Sequence, residues 1–110
     1  MLEQSLAVTP EDLLAGTSTV FDVTVPADLL QTKDPAEPLV VQLRPITIGT
    51  FNLIMKAAKN DPGLIPLCMI KEAMVSPALS LEHVKKMQLG LVNFLIAEIR
   101  HISGLSEKKP

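Results

Sequence analysis

The side chains that could carry acid–base or metal chemistry are few, because the chain has two histidines and one cysteine. His101 follows Arg100 near the end of the last predicted helix, and His83 follows Glu82 in a shorter one. A general base needs a nucleophile or a carboxylate at a defined distance, and the local pattern supplies none to His101. A metal site needs further ligands at recognisable spacing, and His83 has none. The pattern therefore indicates structural roles for both histidines.

Motifs that would point to an enzyme are missing from the sequence. It contains no phosphate-binding loop, no dinucleotide-binding glycine motif and no nucleophilic serine motif. Cys68 stands among apolar neighbours in PLCMI, which indicates a small buried side chain, and a single thiol fits a reducing cytosol. We expect no catalytic residue, no cofactor and no bound metal, and hence a protein that is not an enzyme.

The composition favours a surface that another protein covers. Hydrophobic residues make up 47% of the 110-residue chain, yet it has no Trp, no Tyr and three Phe, so its apolar content is aliphatic. Mean hydropathy is +0.33. A chain of this length fits one domain and leaves much surface relative to its volume, so part of the apolar content should stay exposed. Contiguous exposed apolar surface usually marks a partner site.

Charge is distributed unevenly along the chain. Residues 1–50 hold seven acids and two bases, whereas residues 51–110 hold five acids and eight bases. The basic half has a single arginine and no aromatic array, so we expect no nucleic-acid binding. The N-terminal MLEQSLAV lacks the basic region of a signal peptide, and no apolar run approaches the ~20 residues that cross a bilayer. We therefore expect no membrane contact either.

The segment 17–46 has a period of two residues. Phe21, Val23 and Val25 alternate with polar side chains, and a second run, LVVQLR, ends before Pro45. Both are typical of strands. The intervening PADLLQTKDPAEP contains three prolines and is predicted to be a long surface loop. Two strands are marginal alone, so the pair must lie on the helices or pair with another chain, and its edges could join a homo-oligomer.

From residue 47 the apolar spacing becomes helical. Thr47 or Thr50 is predicted to cap one helix, and Asp61 a second that runs through LCMIKEAMV and ends at Ser76-Pro77. The second is apolar on almost all sides and is the best candidate for a central buried helix. Ser80 is predicted to cap a third, short helix.

The last predicted helix begins near Gly90 and ends at Gly104, where a left-handed C-terminal glycine belongs. Its apolar stripe is wide and must be covered, either by its own domain or by a helix of a partner. Methionines in the helical region would suit an adaptable partner surface, although ordinary core filling is the alternative. The residues predicted to bind a partner are Phe51, Met55, Met74, Met87, Leu91, Leu95, Ile99 and Ile102.

These patterns predict an α+β fold, with a C-terminal bundle of about four helices preceded by a two-stranded antiparallel pair. The expected divisions are a short N-terminal helix or tail at 1–16, the strand pair with its loop at 17–46, the helical domain at 47–105 and a disordered tail at 106–110.

Three segments share the pattern of a known family. LVVQLRPITIGTF is an extended Val/Leu-Arg-Pro-hydrophobic-Thr stretch that leads into a helix, LSLEHVKKM is a Leu-Ser-x-Glu helix, and FLIAEIRHISGL is a terminal helix that ends in Ile-Ser-Gly-Leu. Together they resemble the small tail assembly chaperones of tailed bacteriophages and prophages. The resemblance covers roughly residues 38–105, and residues 1–37 match nothing in the pattern.

The resemblance implies a non-enzymatic adaptor in the host-cell cytoplasm. Such proteins engage the long tape measure protein while the tail is built, and they leave before it is complete. The tail tube subunit is a second candidate partner. Two other functions remain open. One is a structural tail or baseplate component of a phage-like particle, and the other is a small cytosolic helical adaptor.

Overall fold

A computed structural model of the chain describes residues 7–30 and 38–105. It confirms the α+β class, with short helices and strands first and longer helices afterwards. The elements are α1 Pro10–Leu14, β1 Phe21–Val25, α2 Ala27–Leu30, β2 Leu39–Leu43, α3 Ile48–Ala57, α4 Leu64–Ala73, β3 Met74–Ser76, α5 Leu81–Lys85 and α6 Leu89–Ile102.

The strands form a three-stranded antiparallel sheet in the order β1-β2-β3. β1 and β2 pair in regular register, with Val23 opposite Val41. The predicted antiparallel pair is therefore present, but the expected strand number was wrong because β3 adds a third strand. The connection between β1 and β2 also differs from the prediction, since α2 occupies its first part.

β3 replaces what the sequence predicted as the last turn of the second long helix. α4 ends at Ala73, and Met74 pairs with Leu43 of β2. The Arg44 N–H donates to the Ala73 carbonyl at 2.9 Å, which fixes this junction. The apolar spacing of LCMIKEAMV suits a helix, but pairing with β2 satisfies the backbone of its last residues in extended form instead.

One face of the sheet packs on the helices and forms the core. Val23, Leu43 and Met74 of the sheet meet Ile70 of α4 and Ile99 of α6. α4 packs against α3, α5 and α6, so the central position predicted for it is the one it occupies. The buried hydrophobic residues of the described chain are Val23, Val25, Leu43, Ile54, Ala58, Met69, Ile70, Ala73, Met74, Val84, Leu95 and Ile99.

Short polar residues start the helices. The Thr47 hydroxyl accepts the Thr50 N–H at the start of α3, so Thr47 is the cap of the two candidates. The Ser80 hydroxyl caps α5 as predicted. Asp61 does not cap α4, because its carboxylate accepts the Gly63 N–H within the preceding turn and the helix begins at Leu64.

α6 ends as its sequence predicts. Gly104 has φ +80°, and its N–H donates to the His101 carbonyl at 3.1 Å while the Leu105 N–H donates to the Arg100 carbonyl at 2.7 Å. These two bonds form a Schellman motif, which satisfies carbonyls that the helix leaves open. The Ser103 hydroxyl then accepts the Ile46 N–H at 2.9 Å and ties this end of α6 to the connection between β2 and α3.

At the N-terminal side, residues 10–14 form α1, the helical alternative of the two expected for this segment. Residues 1–6, the loop residues 31–37 and the predicted tail at 106–110 lie outside the described residues.

Candidate partner-binding groove

An apolar groove lies between the sheet and the start of α6, and we call it the sheet–α6 groove. Its volume is about 290 Å³. Among residues 7–30 and 38–105, none of the side chains that line it is polar or charged. They are Val25, Leu30, Leu39, Val40, Val41, Met74, Pro77, Leu79, Met87, Leu91 and Leu95.

Two periodicities place these side chains together. On β2, Leu39 and Val41 point to the same face because strand side chains alternate. On α6, Leu91 and Leu95 are four residues apart and share one helix face. Met87 lies in the turn between α5 and α6 and completes the wall on the helical side.

The groove has a buried floor and an exposed rim. Val25, Met74 and Leu95 form the floor and are buried in the core. Leu39 forms part of the rim, and 43% of its surface remains exposed. A groove of this kind can cover aliphatic side chains of another molecule, and each such side chain contributes about 1.5–3 kcal/mol when it is fully buried.

α2 forms one end of the groove and approaches α6 closely. A Cβ atom added to Gly90 would lie 3.3 Å from a terminal methyl group of Leu29. The glycine at the start of α6 therefore lets α2 pack there, and Leu30 of the same helix lines the groove. The sequence did not indicate this wall, because α2 falls within the segment predicted to be a loop.

Further apolar surface lies at the other end of α6. A cavity of about 500 Å³ is bounded by Leu14, Phe21, Ile48 and Ile102, among others. A neighbouring cavity of about 330 Å³ is lined by Phe51, Met69 and Leu105 as well as Ile48. The polar side chains in the described walls are hydroxyls, and no acid or base of residues 7–30 or 38–105 lines either cavity.

The residues predicted to bind a partner do not form one surface. Met74, Met87, Leu91 and Leu95 all line the sheet–α6 groove, with Met74 and Leu95 at its buried floor.

The other predicted residues lie elsewhere. Phe51 and Ile102 line the cavities at the far end of α6, and Met55 is exposed on α3. Ile99 is fully buried in the core, so it cannot touch a partner in this conformation. The periodicity identified the apolar stripe but did not show which part of it the protein's own sheet and α4 would cover.

The histidine in α5 has a structural role. The His83 Nδ1 accepts the Ser80 N–H at 3.1 Å while the Ser80 hydroxyl accepts the His83 N–H at 3.2 Å. This reciprocal pair forms a capping box in which histidine takes the place that Glu or Gln usually occupies. Across residues 7–30 and 38–105, no three His, Cys, Asp or Glu side chains are grouped so that they could hold a metal ion.

Comparisons of the chain with family models, with curated proteins and with solved structures found no match. In the part of the chain that the structure describes, no helix has the length and apolar character to cross a bilayer.

Proposed function

We propose that this protein is a non-enzymatic tail assembly chaperone of a phage or prophage, and that it binds an apolar helical segment of the tape measure protein in the host-cell cytoplasm. The observation that supports this most is the sheet–α6 groove, whose walls are apolar wherever the structure describes them. The resemblance of residues 38–105 to this family supplies the identity of the partner. The tail tube subunit is a second candidate partner.

The groove suits an amphipathic helix. Such a helix presents apolar side chains at i, i+3, i+4 and i+7, and these could lie between the β2 rim and the face of α6 that carries Leu91. Met87 contributes a flexible thioether side chain, which adapts to ligands of differing shape. This adaptability favours a chaperone, because the proteins that the sequence resembles shield apolar helical segments from aggregation.

A transient role also fits the size of the groove. Stable protein complexes usually bury about 1,200–2,000 Å² in total, and weak or transient contacts bury less. A cavity of about 290 Å³ with a short rim offers the smaller kind of contact. The complex would then form during assembly and dissociate before the tail is complete.

Co-expression tests the proposal directly. A fragment of the tape measure protein of the same phage or prophage is produced with and without this protein, and the soluble fraction of the fragment is measured. We expect the fragment to become soluble and to copurify with the protein. If fragments that contain the apolar segments of the tape measure protein all stay as insoluble as before, the proposal is contradicted.

Mass spectrometry of purified particles separates the chaperone from a structural tail or baseplate component. A chaperone is absent from finished particles, whereas a structural component is present in fixed proportion to the tail proteins. Detection in fixed proportion would replace the chaperone proposal with the structural one.

A further inference from the structure

β1 is an edge strand with few of the features that normally prevent edge pairing. In the described part of the chain, β2 lies along one side of β1 and no strand lies along the other. Natural edges are commonly blunted by lysine, proline or a bulge. The strand FDVTV contains neither lysine nor proline, and its register with β2 is regular from Phe21 to Val25. The irregularity in the sheet lies on the opposite side, between β2 and β3.

We propose that β1 pairs with β1 of a second copy of this chain, antiparallel and centred on Val23. The pairing joins two three-stranded sheets through their β1 edges. Phe21 of one copy then lies opposite Val25 of the other, and Asp22 lies opposite Thr24. The apolar side chains of both β1 strands stay on the inner face and their polar side chains on the outer face, as in the single strand.

Charge and backbone chemistry select this register over its neighbours. Centring the pair on Asp22 would place two carboxylates directly opposite each other, which is destabilising. Centring it on Thr24 would bring Pro26, which has no N–H to donate, into the ladder opposite Asp22. Centring on Val23 places each Asp22 carboxylate opposite a threonine hydroxyl that can donate to it.

The structure already holds Asp22 in a suitable position. Its Oδ1 accepts the Gln42 side-chain N–H at 3.1 Å across the β1–β2 pair, on the outer face of the sheet. Val20 and Phe21 are partly exposed in the single copy, and the second strand would cover part of this apolar surface. A five-residue edge is smaller than a standard interface, so the dimer should dissociate on dilution.

Opposite charges introduced at one exposed position test the register. Thr24→Asp places a carboxylate opposite Asp22 at two symmetric points, whereas Thr24→Lys places an ammonium group there. Two such pairs should weaken the dimer roughly fivefold in the aspartate variant and tighten it by a similar factor in the lysine variant. Sedimentation velocity over about 1 µM to 1 mM measures the dissociation constant of each, with circular dichroism as the check that both variants fold.

The direction of the two shifts decides the outcome. Opposite shifts support β1 pairing centred on Val23, because a general loss of strand stability would move both variants the same way. Shifts in one direction, or none, would overturn it, as would a wild-type protein that is monomeric throughout this range. A dimer that neither substitution affects would use another surface and would equally contradict the proposal.

Discussion

At the scale of single residues, polar side chains near the N-termini of helices form hydrogen bonds with backbone N–H groups of the same helix end. Thr9 and Asp12 form a reciprocal capping box at α1, in which the Asp12 carboxylate accepts the Thr9 N–H at 3.0 Å and the Thr9 hydroxyl accepts the Asp12 N–H at 3.1 Å. Ser80 and His83 repeat the arrangement at α5. His83, which could have suggested a metal site in α5, is therefore a capping residue.

The pKa of Asp12 provides a test at this scale. Hydrogen bonds from the Thr9 backbone, and then from the Thr9 side chain, lower this pKa below its ordinary value of 3.8. Because the folded pKa is depressed, the contribution of the cap is complete above pH 3.8 and is lost as pH falls through the lower folded value. An NMR titration of the Asp12 carboxyl should show this depressed pKa.

Substitutions separate the two causes. Thr9→Val removes the hydroxyl and keeps the backbone N–H, so the pKa of Asp12 should rise part of the way towards 3.8. Thr17→Val is the matched control, because the Thr17 hydroxyl donates to the Leu14 carbonyl at the other end of α1. An Asp12 pKa that does not respond to Thr9→Val, or that responds equally to both changes, would refute this assignment.

At the scale of elements, sequence patterns correctly predicted the strands, helix caps and helix ends that depend on interactions between neighbouring residues. β1, β2, the caps at Thr47 and Ser80 and the end of α6 all follow from residues within a few positions of each other. β3 could not be found in this way, because Met74–Ser76 is extended only where β2 pairs with it, and β2 lies some thirty positions earlier in the chain. α2 was not predicted, because the prolines around it indicated a loop.

The two glycines at opposite ends of helices should respond in opposite ways to alanine. Gly104 has φ +80° with nothing within 4 Å of an added Cβ, so Gly104→Ala should cost about 1 kcal/mol through backbone strain alone. Gly49 lies in the first turn of α3 with ordinary backbone angles and ample space, so Gly49→Ala should stabilise by about 0.5 kcal/mol. Urea unfolding of both variants measures the difference, and an equal effect of the two changes would show the account of the α6 terminus to be incorrect.

At the scale of the whole molecule, the apolar residues of the same helices and strands form both the core and the groove. The apolar stripe on α6 was predictable from the residue spacing. Which of its residues pack in the core and which line the groove was not predictable, because their burial depends on where the sheet and α4 lie. Leu95 and Ile99 turned out to pack inside, and Leu91 lies at the groove. The sheet side of the groove, with Leu39 and Val41, could not be predicted because it requires the tertiary position of β2.

A pair of isoleucines tests which apolar residues stabilise the fold. Ile70 is 0% exposed in α4, and Ile70→Ala should cost about 3 kcal/mol through lost contacts and a residual cavity. Ile48 is 74% exposed, so the same truncation there should change the free energy of unfolding by less than about 0.5 kcal/mol. Urea unfolding measures both. If Ile48→Ala proved as costly as Ile70→Ala, the arrangement of the core described above would be wrong.

We propose that the sheet–α6 groove binds an apolar helical segment of the tape measure protein, and a comparison of two leucine substitutions in a binding assay tests this binding. Leu39 stands on the groove rim with 43% of its surface exposed, and Leu53 is 66% exposed on α3 and does not line the groove. Both tolerate a polar side chain in the free protein because both already contact water. Isothermal titration with a soluble tape measure fragment should show at least about tenfold weaker binding for Leu39→Glu, since the carboxylate must lose water in the complex, and little change for Leu53→Glu. Equal affinity of the two variants for the fragment would contradict the claim.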